Sequence, residues 1–78
     1  MTYKLVAWGR YQVAPFLVRK WYVLESEDGS TVNVNVLLLK KRPKIMIVEE
    51  GKKVKVYTDE DAERKYAELF PEEARRLK

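Results

Sequence analysis

Residues 31–36, Thr-Val-Asn-Val-Asn-Val, have the clearest periodicity in the chain. Valine occupies every second position and polar side chains fill the others, which is the pattern of a strand with one buried and one wet face. The following Leu37, Leu38 and Leu39 break this alternation. We therefore expect both faces to be covered there, by a helix or by a partner.

Four more strands are predicted around this stretch. Residues 2–8 and 13–24 precede it, and residues 44–49 and 53–57 follow it; they are rich in β-branched and aromatic residues. Gly9 indicates a bulge or sharp bend. Turns are predicted near Pro15, at residues 27–30, at the basic residues 40–43 and at residues 49–52. In the turn at 27–30, the Asp-Gly pair supplies the positive φ that a tight hairpin needs.

A helix is predicted to begin at Thr58. The acidic residues 59–61 suit the positive end of a helix dipole, and Thr58 with Asp61 approximates a capping box. Pro71 predicts a break at Phe70, followed by a short helical turn through Leu77. An apolar stripe that can pack on a sheet recurs at helical spacing and consists of Ala62, Tyr66, Leu69 and Phe70.

These elements predict an α+β domain. Residues 1–78 form one domain, with a small five-stranded antiparallel sheet or partly open barrel in residues 1–58. Residues 59–78 supply the C-terminal helix that caps it, broken near Pro71. Strand twist favours curling in a sheet of this size because closure hides its edges.

Composition excludes several classes of function. The 78 residues include no cysteine and no histidine, so disulfides, thiolate zinc sites and histidine-based triads are absent. A chain this small without such staples relies on dense apolar packing, ion-pair networks or dimerisation. Its 46% hydrophobic and 36% charged residues fit the first two. High Lys/Glu content with few thermolabile residues is typical of hyperthermophile proteins and of idealised designed ones. No signal peptide or membrane span is visible, and a cytoplasmic protein is expected.

The net charge of +4 is unevenly distributed. Residues 1–58 contain 11 Lys/Arg against five Asp/Glu, a net +6, whereas residues 59–78 contain five against seven, a net −2. The positive field therefore belongs to the predicted sheet. Solubility alone requires some net charge, and the segregation is modestly greater than that requires.

Two short segments interleave aromatic and basic residues. In Trp8-Gly9-Arg10-Tyr11 and Arg19-Lys20-Trp21-Tyr22, each tryptophan is two positions from an arginine, so the two share a strand face. Such a surface suits stacked bases on a phosphate backbone. It equally suits a half-buried sheet whose aromatics cover the core while the cations extend past them. If Trp21 stacks on a ligand, Trp21→Ala should weaken binding and leave thermal stability nearly unchanged. If Trp21 is a core residue, the same change should lower the stability of the folded state.

The densest cationic patch is Lys40-Lys41-Arg42-Pro43-Lys44, which Lys53 and Lys55 extend if the strands lie side by side. It predicts either phosphate contacts or a solvated turn that discourages aggregation. The predicted nucleic-acid-binding residues are Trp8, Arg10, Arg19, Trp21, Lys40, Lys41, Arg42, Lys44, Lys53 and Lys55.

No catalytic residue, metal ligand or cofactor site is predicted. Residues 59–63 are strongly acidic, but capping and dipole compensation explain them without a metal. Three isolated glycines cannot build a phosphate-binding loop. Asn33 and Asn35 could bind base edges, but the simpler interpretation is that they lie on the solvent-exposed face of the strand. The sequence thus favours a protein that is not an enzyme.

The C-terminal half resembles the seven-kilodalton archaeal chromatin proteins. The hairpin of residues 45–56, turning at residues 49–52 and followed by Thr58-Asp59-Glu60-Asp61-Ala62, carries the resemblance, which covers residues 44–70. That family consists of Lys-rich, cysteine-free five-stranded barrels with a C-terminal helix, and it binds and bends duplex DNA through a sheet. The glycine-rich turn of the family is reduced here to Gly51. Its tryptophan and valine-methionine wedge have no positional match, with Trp21 and Met46 as candidates in kind.

Three hypotheses follow. The first is a non-enzymatic nucleic-acid-binding module that uses a basic, aromatic sheet face, for DNA or RNA, duplex or single strand. The second is a protein-interaction or self-assembly module, including a homodimer, that buries the leucines at 37–39. The third is an engineered scaffold with no ligand. The positions of Trp8 and Trp21 discriminate among them.

Overall fold

A computed structural model describes residues 3–76. Five strands precede two helices: β1 (Tyr3–Ala14), β2 (Leu17–Ser26), β3 (Thr31–Leu39), β4 (Arg42–Glu50), β5 (Lys53–Thr58), α1 (Asp59–Leu69) and α2 (Pro71–Arg76). The predicted α+β fold is confirmed, as a sheet that is not closed rather than as a barrel. The predictions for Thr2 and Leu77 lie outside the described residues.

The sheet is an antiparallel meander in the order β1-β2-β3-β4-β5. The predicted turns are confirmed, but the first strand extends to Ala14, so the second begins at Leu17 rather than at Val13. The bulge expected at Gly9 is instead found at two other places in β1, at Val6 and at Val13, where the register with β2 shifts by one residue. Each bulge changes which side chains share a face.

The β2–β3 turn is held by side chains as well as backbone. The Ser26 carbonyl accepts from the Gly29 amide at 3.0 Å, and Gly29 has φ of +87°, as its aspartate-glycine pair predicts. The Asp28 carboxylate accepts from the Ser26 hydroxyl and from the amide and hydroxyl of Ser30. These hydrogen bonds, that of Ser26 first, lower the pKa of Asp28 from 3.8 to about 2.

Opposite residues of an antiparallel ladder project from the same face, so the register divides the sheet into two faces. One side, the helix face, is the side on which α1 packs against β4 and β5. One of its rows consists of Trp8, Tyr22, Val34, Val48 and Lys55. The central part of the opposite side is here named the open face and consists of three rows: Tyr11, Arg19, Leu37, Ile45 and Thr58; Gly9, Trp21, Asn35, Ile47 and Val56; Ala7, Val23, Asn33, Glu49 and Val54.

The core lies between the helix face and the helices. The valines of the Thr31–Val36 alternation are buried, as predicted, together with Met46. Phe70 stacks on Tyr22 with ring centroids 4.1 Å apart. The hydroxyls of Tyr22 and Tyr66 share a hydrogen bond of 3.1 Å. Burial, foremost among the causes, raises the pKa of both tyrosines, so both hydroxyls stay protonated at neutral pH.

The helix begins and breaks where the sequence predicts, but its start differs in detail. Thr58 is the N-cap residue without any side-chain capping bond, so the expected capping box does not form. Asp59 has a φ of +50°, and its carboxylate accepts from the Lys44 ammonium group. The helix ends at Phe70, just before Pro71 begins α2.

Candidate nucleic-acid interface

The two aromatic-basic pairs lie on opposite faces of the sheet. Trp8 and Arg10 share the helix face, since they pair with Tyr22 and Lys20; Trp21 lies on the open face opposite Gly9, and Arg19 lies beside it. Each tryptophan does share a face with its arginine, as predicted. The structure does not bring the four side chains together on one surface.

Trp21 lies against the backbone of β1. A Cβ atom built on Gly9 would stand 2.3 Å from the indole Nε1 and 2.4 Å from Cε2, so the ring occupies the space that any other residue would fill. The indole shields the glycine of this edge strand. It remains 40% exposed, so part of the side chain is accessible to a ligand or partner.

Trp8 is the more accessible tryptophan. It is 59% exposed, although it shares the helix face with the buried Tyr22. Among the described residues, α1 packs on β4 and β5, α2 packs on α1, and neither helix contacts β1, which leaves β1 uncovered on this side. Arg10 donates to the Gln12 side chain at 3.1 Å, toward the β1–β2 turn.

A second cluster forms at one end of the sheet, where the β1–β2 and β3–β4 turns meet. The Lys40 amide donates to the Phe16 carbonyl at 2.9 Å, which joins the two turns. Phe16 and Tyr11 are 67% and 66% exposed. Within residues 3–76, none of the cations at this end forms an ion pair. We name this cluster the basic end; it comprises Phe16, Lys40, Lys41 and Arg42, while Arg10 and Arg19 lie nearby on opposite faces of the sheet.

The β3–β4 turn has an unfavourable backbone for its sequence. Leu39 pairs with Arg42, so Lys40 and Lys41 alone form the turn, with φ of +52° and +67°. Positive φ at both central residues defines a type I′ turn, which strongly favours Asn-Gly. Positive φ is sterically unfavourable for lysine at each of these positions. Strained residues of this kind are often found at functional sites.

Acidic side chains limit the approach to the basic end from one direction. A cleft at the start of α1 is lined by Glu60 and Glu63 together with Lys40 and Arg42. On the opposite side of the turn lies the β1–β2 hairpin, which carries Phe16 and Tyr11. A polyanion therefore meets the least repulsion when it approaches over that hairpin.

The remaining predicted residues lie elsewhere. Lys44 pairs with Asp59 beside the cleft. Lys53 and Lys55 are exposed on the helix face of β5, across the sheet from Trp8, and do not extend the Lys40–Arg42 patch. Met46 is fully buried, which removes it as a wedge candidate.

Sequence reasoning did not select Phe16 or Tyr11 as binding residues. Period-two alternation in a strand over residues 13–24 predicts that Phe16 shares an apolar face with Tyr22 and Leu24. The structure puts it at the tip of the hairpin, next to Pro15. An aromatic residue directly after a proline turn was the available signal, because a hairpin tip has no second layer to cover it.

The chain matches no protein-family model, no curated protein and no solved structure. The resemblance to archaeal chromatin proteins therefore stays a prediction. Neither helix within residues 3–76 is long and apolar enough to cross a bilayer. In the same part of the chain, no three acidic side chains converge as metal ligands would.

Proposed function

We propose that this protein is a non-enzymatic nucleic-acid-binding module, and that the basic end is its binding surface. The hydrogen bond between Lys40 and Phe16 carries this proposal, because it places an exposed aromatic ring beside cations that lack acidic partners. Lys40, Lys41 and Arg42 would contact phosphates, and Phe16 would stack on a base or sugar. Arg10 and Trp8 continue the surface along β1.

The strained turn supports the same assignment. Asn-Gly at positions 40 and 41 would relieve the backbone at little cost elsewhere, since both side chains are exposed. Two lysines occupy these positions in spite of the backbone cost, which supports a role for their charge. No charged side chain of the described residues is buried, so no buried charged site competes with the basic end as the candidate functional site.

The test is binding of labelled duplex and single-stranded oligonucleotides at several salt concentrations. Lys40→Asn/Lys41→Gly should keep the fold, weaken binding, and reduce the slope of log affinity against log salt by about 2, since each lysine releases about one counterion. Lys52→Gln/Lys53→Gln is the matched control, because it removes the same charge at the opposite end of the sheet.

The outcomes separate the possibilities. Wild-type binding that is absent, or unchanged by salt, would overturn the proposed function. Equal losses in the two lysine variants would overturn the basic end as the site. Phe16→Ala should weaken single-strand binding by about 1–3 kcal/mol if the ring stacks on a base.

A further inference from the structure

The open face is apolar and lacks a second layer. Eight of the fifteen residues in its three rows are aliphatic or tryptophan, and only Arg19 and Glu49 are charged there; Lys4, Glu25 and Arg42 project from the same side in the end rows. Val54 and Val56, at the β5 edge, are 58% and 61% exposed. Both helices of residues 3–76 belong to the other side of the sheet. Contiguous apolar surface of this kind marks an interaction site.

The accessible surface is large for a monomer of this size. It amounts to 5904 Å² for 9.3 kDa, whereas a folded monomer of that mass exposes roughly 5,000 Å². The excess of about 900 Å² is close to the roughly 800 Å² that each partner contributes to a standard interface. The molecule as a whole thus leaves uncovered about as much surface as one side of a standard interface buries.

The charges of the open face are arranged symmetrically about its centre. Asn35 lies at the middle of the central row on β3. Arg19 lies one strand and one row away on one diagonal, and Glu49 lies the same distance away in the opposite direction. A face with one cation and one anion placed in this way is complementary to itself.

We propose that the open face binds a second copy of this chain, with the two sheets packed orthogonally about a two-fold axis. The axis passes above Val23, Asn35 and Ile45, and it places Arg19 over Glu49 of the partner subunit. From strand and residue spacings, the Cα positions match to within about 3 Å, which a guanidinium side chain spans. Orthogonal packing is one of the two common arrangements of stacked sheets.

The same axis pairs apolar residues in the interior of the interface. Ile47 lies over Leu37 of the partner subunit, and Val23 and Ile45 each meet their own copies. Asn35 lies on the axis, where two amides can hydrogen-bond to each other. The Arg19 guanidinium donates to Asn35 Oδ1 at 3.1 Å, which holds it at the centre of the face and leaves other N–H groups for Glu49 of the partner subunit. This inference does not depend on nucleic-acid binding.

Sedimentation velocity over a wide concentration range tests the proposal. Wild-type protein should sediment as a dimer, and Arg19→Glu and Glu49→Arg should each shift it to monomer at the same concentration. The double swap Arg19→Glu/Glu49→Arg should restore the dimer. Glu50→Arg is the matched control and should remain dimeric, because Glu50 is adjacent in sequence but projects from the helix face.

Two results would overturn the proposal: a wild-type monomer at every concentration, or a folded double swap that stays monomeric. Val23→Asp provides a second variant if a swapped chain does not fold. Because Val23 meets its own copy, the change places two carboxylates together at the axis and should dissociate the dimer at neutral pH, with reassociation on acidification. A neutral-pH dimer of Val23→Asp would show that the axis lies elsewhere.

Discussion

Gly9→Ala tests the contact between β1 and the open face. The new Cβ would stand 2.3–2.5 Å from three indole atoms of Trp21, whereas non-bonded carbons pack at about 3.5–4.0 Å. A shift of more than about 1 Å is needed. Because β1 is tied to β2 by ladder hydrogen bonds, we expect the ring rather than the strand to move.

The cost follows from the surface that the ring would uncover. Trp21 is 40% exposed, so about 150 Å² of a side chain of about 250 Å² is covered. At about 25 cal/mol/Å², complete displacement would cost about 4 kcal/mol as an upper limit. The ring keeps part of its contacts after a rotation, and we expect a loss of about 1–3 kcal/mol in unfolding free energy.

Denaturant unfolding at fixed protein concentration measures this loss, and Trp21→Ala supplies the matched background. Without the indole, Gly9→Ala should be neutral or stabilising by about 0.5–1 kcal/mol, because glycine is unfavourable inside a strand. The double-mutant cycle should therefore give a coupling of about 2 kcal/mol. An equal cost of Gly9→Ala in the two backgrounds would refute the steric reasoning.

Three further predictions concern stability. Tyr22→Phe and Tyr66→Phe should each cost about 1–3 kcal/mol in denaturant unfolding, whereas the double change should cost no more than either one, since no buried hydroxyl then lacks a partner; additive losses would contradict this. Lys40→Asn/Lys41→Gly should raise the thermal midpoint by about 4–8 °C, the equivalent of about 1 kcal/mol, through relief of positive φ, and a lower midpoint would count against strain in the turn. Because the pKa of Asp28 is lowered in the folded state, the stabilisation from its carboxylate is present above pH 3.8 and is lost as pH falls through about 2. In acid titrations followed by circular dichroism, Asp28→Asn should lose this part of the pH dependence. An acid transition that is the same in Asp28→Asn and wild type would show that Asp28 makes no such contribution.

Much of the fold is predictable because local patterns and tertiary packing agree. The valine alternation at 31–36 gives the buried face of β3, and the aspartate-glycine pair gives the adjoining turn. Pro71 sets the end of α1 because the residue before a proline disfavours helical geometry. These signals are each contained within a few residues.

Long-range details were not predictable in the same way. Gly9 looks like a bulge from its sequence, yet its role depends on the indole of Trp21, twelve residues away. The Lys44–Asp59 ion pair depends on β4 lying next to the start of α1, and it accompanies a helix start without the expected capping box. Sequence spacing alone does not contain such contacts.

One bulge accounts for the division of the predicted binding face. Ala14 pairs with Leu17, and a regular hairpin continued from that pair would place Arg10 opposite Trp21, with Trp8 on the same face. The bulge at Val13 shifts the register by one residue, which moves Trp8 and Arg10 to the helix face. A one-residue shift of this kind has no clear sequence signal here, since Val13 is an ordinary strand residue.

The distribution of valines and lysines over the two faces of β5 supports the proposal that a second protein layer covers the open face. In a solvated outer face, the lysines of this edge strand would point away from the helices and the valines toward them. The structure shows the reverse: Val54 and Val56 lie on the open face, whereas Lys53 and Lys55 lie on the helix face. A strand with this inverted pattern is stabilised when a second apolar layer covers its valines while its lysines remain in water. A second copy of the chain would supply that layer without covering the Lys40–Lys41 turn, so the two proposed surfaces are compatible in one molecule.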